Sequence, residues 1–438
     1  MSETSLTPED RLLFSRVARR IIPLMIVMYA IAFLDRSNLS FAALEMNADL
    51  GFSPAVYGFG AGVFFIGYFI FEVPSNIIIE KIGARIWICR IMITWGLVSG
   101  AMALIQGEWS FYILRFLLGA AEAGFAPGML LYLTYWFPAE LRAKYLGLYL
   151  IAIPLANVIG APLSSWLLGF DGLGGLHGWQ WLFIIEAAPA LIMGVAILWL
   201  LPDGPAKTTW LTAEEKARIA SILARERMGE GARSHSSLWP ALRDPRVLLM
   251  CMIYIGITIG IYGINMWLPT MTKGMGFSVM QVGLIVAFVY LLSAIALPLW
   301  GMSSDRRHER IWHVAIPCFA ASIGFAASGF FTQPILVLTA LSLAAIGVLA
   351  LLPPFWAIPP RFLAGTAAAG GIALINATGN LGGFAGPYLV GWIKYSTESF
   401  TAGMLTLAFF MALAGGLMLA FKSLLLRREA LSLKSGKA

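Results

Sequence analysis

Charge is scarce in this sequence. Asp, Glu, Lys and Arg together make up 12% of its 438 residues, about half the share found in soluble domains, so too few ionised groups exist to cover a water-facing surface. Cysteine is scarcer still: Cys89, Cys251 and Cys318 are the only three. They fall in or beside apolar stretches without metal-like spacing, which excludes a disulfide framework and leaves them as small core residues. The four histidines, His177, His235, His308 and His313, lie in loops or at a span boundary without metal-like partners, so no metal or other cofactor is expected. The stretch GFDGLGGLHG at 169–178 has no strand before it and no lysine after it. It reads as a flexible loop, not a phosphate cradle, and an ATP-driven pump is excluded. No nucleophile, base or metal set gathers near one face, so an enzyme is not expected.

What remains is apolar. The chain is 59% hydrophobic, with a mean hydropathy of +0.80. About twelve apolar runs each approach the ~20 residues that a helix needs to cross the hydrocarbon core. The runs are continuous and not alternating, so they predict helices and exclude a barrel. Their expected positions are 21–44, 56–79, 88–106, 109–137, 145–169, 181–201, 246–270, 280–300, 313–331, 335–356, 367–394 and 401–421, numbered below as spans 1 to 12. The fold expected is therefore an all-α membrane protein. The only long polar interruption, 202–245, carries TAEEKARIASILARER, a helical pattern with charges on most faces that reads as a solvated linker.

Basic residues orient the chain, because positive charge stays on the cytoplasmic side. With the N-terminus inside, cytoplasmic segments hold 26 of the 30 Lys and Arg residues, and outer loops hold only Lys273 and Lys394. Both termini are then cytoplasmic. The pI near 9.3 reflects this topology, and no nucleic-acid partner is needed to explain it. The first apolar run is too long for a cleavable signal and lacks a small-residue cleavage site.

Sliding the chain by 225 positions aligns Glu80 with Asp305, Lys81 with Arg306, Arg85 with Arg310, Ile86 with Ile311, Trp87 with Trp312 and Pro162 with Pro387. The first five pairs match the loop after span 2 with the loop after span 8. The chain thus reads as two six-helix halves, 1–201 and 246–438, joined by the linker. The string Glu80, Lys81, Gly83 and Arg85, with its echo Asp305, Arg306 and Arg310, resembles the signature loop of the major facilitator superfamily. Arg115 and Gly119 look like that family's RxxxG signature in span 4, and Gly160, Ala161 and Pro162 like a degraded Gly-Pro signature in span 5. The resemblance implies a cytoplasmic latch at the paired loops, which holds the outward-open state.

LDRSN at 34–38, FEVPSN at 71–76, RFLLGAAEAGFAPG at 115–128, YWFP at 135–138 and the stretch 373–391 are together similar to the anion:cation symporter branch. That branch includes permeases for tartrate, galactonate and hexuronates, phthalate and hydroxyphenylacetate. Ser75 and Asn76 stand where many members have glycines, and Glu80-Lys81 replaces the usual Asp-Arg. The resemblance implies a bacterial inner-membrane carrier that imports an organic anion with protons, with one chain sufficient as a monomer.

A charge inside a span costs several kcal/mol unless it is paired or faces water, so each one is a functional candidate. Asp35 and Glu122 lie within ~4 Å of the expected midplane, the depth at which carriers bind substrate. Arg115 and Glu122 share a helix face but stand ~10 Å apart along the axis, so each must look to another helix or to substrate. Asp35 and Arg36 are adjacent and diverge by ~100°. Burial disfavours a carboxylate's charged form whereas an arginine stays charged. The expectation is that Arg36 grips a substrate carboxylate, Asp35 and Glu122 carry protons and Arg115 tunes Glu122. The resemblance implies the same roles. The competing reading is a static charge cluster. Glu72 reads either as a further protonation site or as an inner gate contact, and Glu186 as structural.

Shifted by 225, Asp35, Arg36, Arg115 and Glu122 fall on Gly260, Ile261, Ala340 and Gly347. The C-terminal half therefore offers only neutral groups: Tyr262, Asn265, Tyr290, Asn376, Thr378 and Asn380. Asn376 and Asn380 are one turn apart and suit substrate hydroxyls, with Asn157 facing them from span 5; a helix-packing role is the alternative for all three. Hydroxy acids such as tartrate or sugar acids suit the asparagines. An aromatic carboxylate stacking on Phe33, Phe65 or Tyr68 is the second possibility, and a sensor of carrier fold the third.

Overall fold

An apolar backbone in lipid must satisfy its own N–H and C=O groups, and this chain does so helix by helix. The computed structural model describes residues 6–231, 243–363 and 365–435, with the side chains of Glu80, Ala143, 227–231, 365–369 and 425–435 outside the description. Among the described residues there are no strands, and eleven helical stretches are long and apolar enough to cross a membrane. Gly365–Thr397, 33 residues long, takes the place of span 11. The protein is an all-α, multi-pass membrane protein of two six-helix halves.

Helix starts are set by local chemistry. Thr7 and Asp10 form a reciprocal capping box at the start of Pro8–Asp49, and Ser53 caps Pro54–Ile82 by accepting from the Val56 N–H. Ser278 and Gln281 repeat the capping box at Val279–Arg307. Span 1 is far longer than hydropathy indicated, because Pro8–Asp49 runs as one helix of 42 residues through a polar first segment that apolarity could not reveal.

Three spans expected to be continuous are broken. Span 4 consists of Glu108–Glu122 and Phe125–Trp136, with Gly124 at φ +86° between them. Span 5 is Ala139–Leu150 and Ala152–Leu168, and span 10 is Pro334–Ala350 and Leu352–Trp356. In each case a proline (Pro127, Pro154 or Pro353) sits in the first turn of the second segment, where its missing N–H has no partner to lose. The break in span 4 falls directly after Glu122. Hydropathy averages over such interruptions and cannot detect them.

The halves meet along two seams, span 2 against span 11 and span 5 against span 8. A Cβ on Gly391 would lie 2.3 Å from the Pro54 carbonyl, and one on Gly58 would lie 2.6 Å from the Pro387 carbonyl. On the second seam, Gly283 lies against Ala161 and Ser165. These contacts are at the ends of the spans expected to face outward, where small residues let the two halves approach closely.

The linker helix, Ala213–Gly231, is not freely solvated. It docks on the N-terminal half through Arg218 to Asp10 at 2.6 Å and Arg142 to Glu226 at 2.8 Å, with Ile219 and Leu223 buried beneath it. The Trp210 ring, just ahead of it, stacks on Trp136.

Candidate functional site

Span 1 carries the central group. Tyr29, Phe33 and Arg36 are spaced by four and three residues, so they share one face, and the guanidinium of Arg36 ends up buried at the junction of the halves. Its Nε donates to Glu122 Oε1 at 2.8 Å, its Nη2 lies 2.6 Å from the same oxygen, and its Nη1 donates to the Tyr262 hydroxyl at 2.9 Å. The rings of Phe33, Phe64 and Tyr68 each lie 5.3 Å from the guanidinium carbon. Arg36 is thus held by a carboxylate of its own half, a phenol of the other half and an aromatic wall.

Asp35 points elsewhere, as the ~100° divergence requires. It accepts hydrogen bonds from the Trp95 indole and from Ser99 Oγ at 3.0 Å, both on span 3. Arg115 turns to span 2, where its Nε and Nη2 donate to the carbonyls of Gly60 and Ala61 at 3.2 Å each. It forms no ion pair with Glu122 among the described residues. A buried guanidinium satisfied by backbone carbonyls is a fixed positive charge that no side-chain protonation can release.

The neutral candidates of the C-terminal half also make bonds across the seam. Asn265 Nδ2 donates to Asn157 Oδ1 at 3.3 Å and to the Tyr290 hydroxyl at 3.2 Å. Asn376 and Asn380, expected to be open to substrate hydroxyls, instead donate to the two oxygens of Glu72 at 2.7 and 2.9 Å. Sequence spacing showed that the two asparagines face one way. It held no sign that a carboxylate 300 residues earlier meets them.

Beside Phe33, Tyr262 and Asn376 lies a small cavity of about 70 Å³, lined also by Tyr29, Tyr149 and Tyr254. Tyr149, Tyr29 and Tyr254 were not picked out from the sequence. The first two stack with ring centroids 4.3 Å apart. The hydroxyls of Tyr68 and Tyr149 are buried and make no hydrogen bond within the described protein, a costly state that a ligand oxygen would relieve. Glu186 accepts from Ser164 Oγ at 2.6 Å, away from the cavity lining.

The two signature loops stay within their own halves. Between spans 2 and 3 a single residue, Gly83, makes the turn at φ +98°, and the Arg85 N–H donates to Asp203 Oδ1 at 3.2 Å. In the other half Arg310 pairs with Asp305 at 2.5 Å and donates to Ser304 Oγ at 2.8 Å. His308, 225 residues after Gly83, also has a positive φ, but at φ 49° and ψ 27° it is left-handed helical, whereas Gly83 has ψ 152°. Lys81 and Arg306 are exposed, and the side chain of Glu80 lies outside the described residues. No bond between the two loops is present among the described residues.

The family model of the Major Facilitator Superfamily matches residues 25–387. A protein of Agrobacterium vitis named "Putative tartrate transporter" is 51% identical over 89% of this chain and 86% of its own length. A quinolone resistance transporter of Acinetobacter baumannii is 43% identical over 90% of this chain and 91% of its own. Among solved structures, a bacterial homologue of the human lysosomal transporter Spinster, inward-facing and occupied, superposes with a TM-score of 0.74 at 15% identity, over 92% of this chain and 96% of that one. The chain belongs to the major facilitator superfamily, and it is a transporter, not an enzyme.

Proposed function

We propose that this transporter imports an organic carboxylate together with protons by alternating access. The observation that carries the reading is Arg36, a buried guanidinium at the junction of the halves whose partners, Glu122 and Tyr262, belong to opposite halves. In this reading protonation of Glu122 frees Arg36, which then grips the substrate carboxylate. Asp35, anchored on span 3, carries the second proton, and Arg115 biases Glu122 from a distance as a fixed charge. The name of the Agrobacterium relative supports a tartrate-like hydroxy acid. Asn157, Asn265, Asn376 and Asn380 supply amides for its hydroxyls.

Alternating access draws support from the close glycine contacts on the outer seams, which must part to admit substrate from that side. The signature-loop groups Lys81, Gly83, Arg85, Asp305, Arg306 and Arg310, with Glu80, close the other side in the opposite state. The halves, 1–201 and 246–438, rock about the 202–245 linker. The protein acts as a monomer in a bacterial inner membrane with both termini in the cytoplasm.

The aromatic wall around Arg36 favours a second reading, an aromatic carboxylate packed on Phe33 and Tyr68. Proteoliposome uptake of labelled tartrate, sugar acids and aromatic carboxylates, driven first by a pH gradient and then by a sodium gradient, tests both readings. Accumulation of a hydroxy acid under the pH gradient alone is expected. Accumulation of no carboxylate under either gradient would sink both and leave a sensor of carrier fold.

A further inference from the structure

Glu72 has no part in the carboxylate and proton scheme above. It is 3% exposed, sits on span 2 in the N-terminal half, and spends both carboxylate oxygens on the amides of Asn376 and Asn380 in the C-terminal half. No other described carboxylate bonds to two side chains of the opposite half across the seam. Its place in the seam is also particular. Outward of it, spans 2 and 11 run backbone against backbone through Gly62, Gly58 and Pro54. Asn376 also lines the cavity. One turn before Glu72, Tyr68 shares its face, carries an unsatisfied buried hydroxyl and places its ring 5.3 Å from the Arg36 guanidinium.

We propose that Glu72 is an internal stand-in for substrate: its carboxylate occupies the span 11 amide pair, ties the halves together, and is displaced by the substrate end that lies opposite Arg36. The substrate class follows from the subsite. The two amide N–H groups require an oxygen acceptor, and the Tyr68 hydroxyl offers one more donor or acceptor beside them. A hydroxyl-bearing carboxylate meets all three at once. A purely apolar or aromatic far end leaves two buried amides unpaired once Glu72 is dislodged, and is rejected for that reason. The proposal rests on the reading of Arg36 as the carboxylate grip, but the tie itself exists without any ligand.

Two measurements separate these parts. In a background with Cys89, Cys251 and Cys318 replaced by alanine, spin labels at Ile82 and Arg361, both exposed and at the inner end of span 2 and just before span 11, report the separation of the halves on the side of the tie without ligand. Glu72→Ala is expected to add a longer-distance population, and Glu72→Gln, which keeps one acceptor, a smaller one. An unchanged distribution in Glu72→Ala overturns the tie. Tartrate binding is then measured for Asn376→Ala with and without Glu72→Ala. Displacement predicts that Asn376→Ala weakens binding several-fold more when Glu72 is absent, because in the native chain the loss of the amide also removes its competitor. Additive effects within about twofold overturn displacement while leaving the tie. If the spin labels respond but tartrate binds to no variant, the tie stands and it is the carboxylate reading that falls.

Discussion

In the N-terminal half, position 36 carries a guanidinium bonded to Glu122, and position 115 a second guanidinium bonded to span 2 carbonyls. Two hundred and twenty-five residues on, the same places hold Ile261, Gly347 and Ala340, all buried. A Cβ on Gly347 would lie 2.6 Å from the Pro317 carbonyl and 2.8 Å from the Ala321 side chain. Where one half spends its equivalent positions on charge, the other spends them on close helix contact. A rocking carrier needs the halves to match in shape, but a single charged site at their junction suffices. Duplicating the charges would bury two more carboxylates at several kcal/mol each without adding a second path. The turns, in contrast, are duplicated in place though not in backbone shape: Gly83 and His308 both have positive φ, but their ψ values are 152° and 27°.

The largest expected effect is at Arg36. Arg36→Lys keeps the charge but cannot bond Glu122 and Tyr262 with a planar fork, and uptake of the carried carboxylate is expected to fall by about a hundredfold or more. Its counterpart change, Ile261→Leu, conserves volume and is expected to alter uptake by less than about threefold. Equal losses in the two halves would erase the asymmetry. Glu122→Gln comes next. It is expected to abolish proton-driven accumulation while counterflow exchange persists, measured in the same proteoliposomes. Loss of both would count against a proton role and favour a static charge cluster. A smaller effect probes the packing half: Gly347→Ala must push Ala321 or the Pro317 backbone aside. It is expected to cost about 1–3 kcal/mol, read as a lower Tm in detergent. An unchanged Tm would show that the close contact at 347 is not structural.

Much of this was legible from residue order. Apolar runs located the spans, the 225-residue echo gave the two halves, and the divergence of Asp35 from Arg36 followed from helix geometry alone. The partners of the deep charges were not legible. Trp95 and Ser99 find Asp35, and Asn376 and Asn380 find Glu72, through the packing of helices distant in sequence. Nothing in a span's own periodicity records which neighbour it meets. The breaks in spans 4, 5 and 10 were written in Gly124, Pro127, Pro154 and Pro353, but proline in a membrane helix is common enough that its presence alone does not mark a break.

The smallest expected effect concerns how each half caps the helix after its signature loop. In the N-terminal half, Asp203 reaches over from beyond span 6 to accept the Arg85 N–H. In the C-terminal half the loop supplies its own cap, since Glu309 accepts from the N–H groups of Trp312 at 2.9 Å and His313 at 3.1 Å. Partial burial alone pushes the Glu309 carboxyl up, but these two N–H groups and the His313 ring together hold it below the usual carboxylate range. A depressed value means that the native state binds the proton less readily than the unfolded chain. The ionised cap therefore stabilises the fold above the unfolded pKa of about 4.3, and the gain is lost as pH falls through the lower folded value. Glu309→Gln should then lower stability by about 0.5–1 kcal/mol near pH 7, and the gap to the native chain should close as pH drops below 4. Asp203→Ala removes both its cap and the link from span 6 to span 3, so it should cost at least as much at pH 7. If Asp203→Ala costs nothing while Glu309→Gln does, the two loops share a place in their halves but not a cap, and the symmetry of the halves ends at the position of the turn.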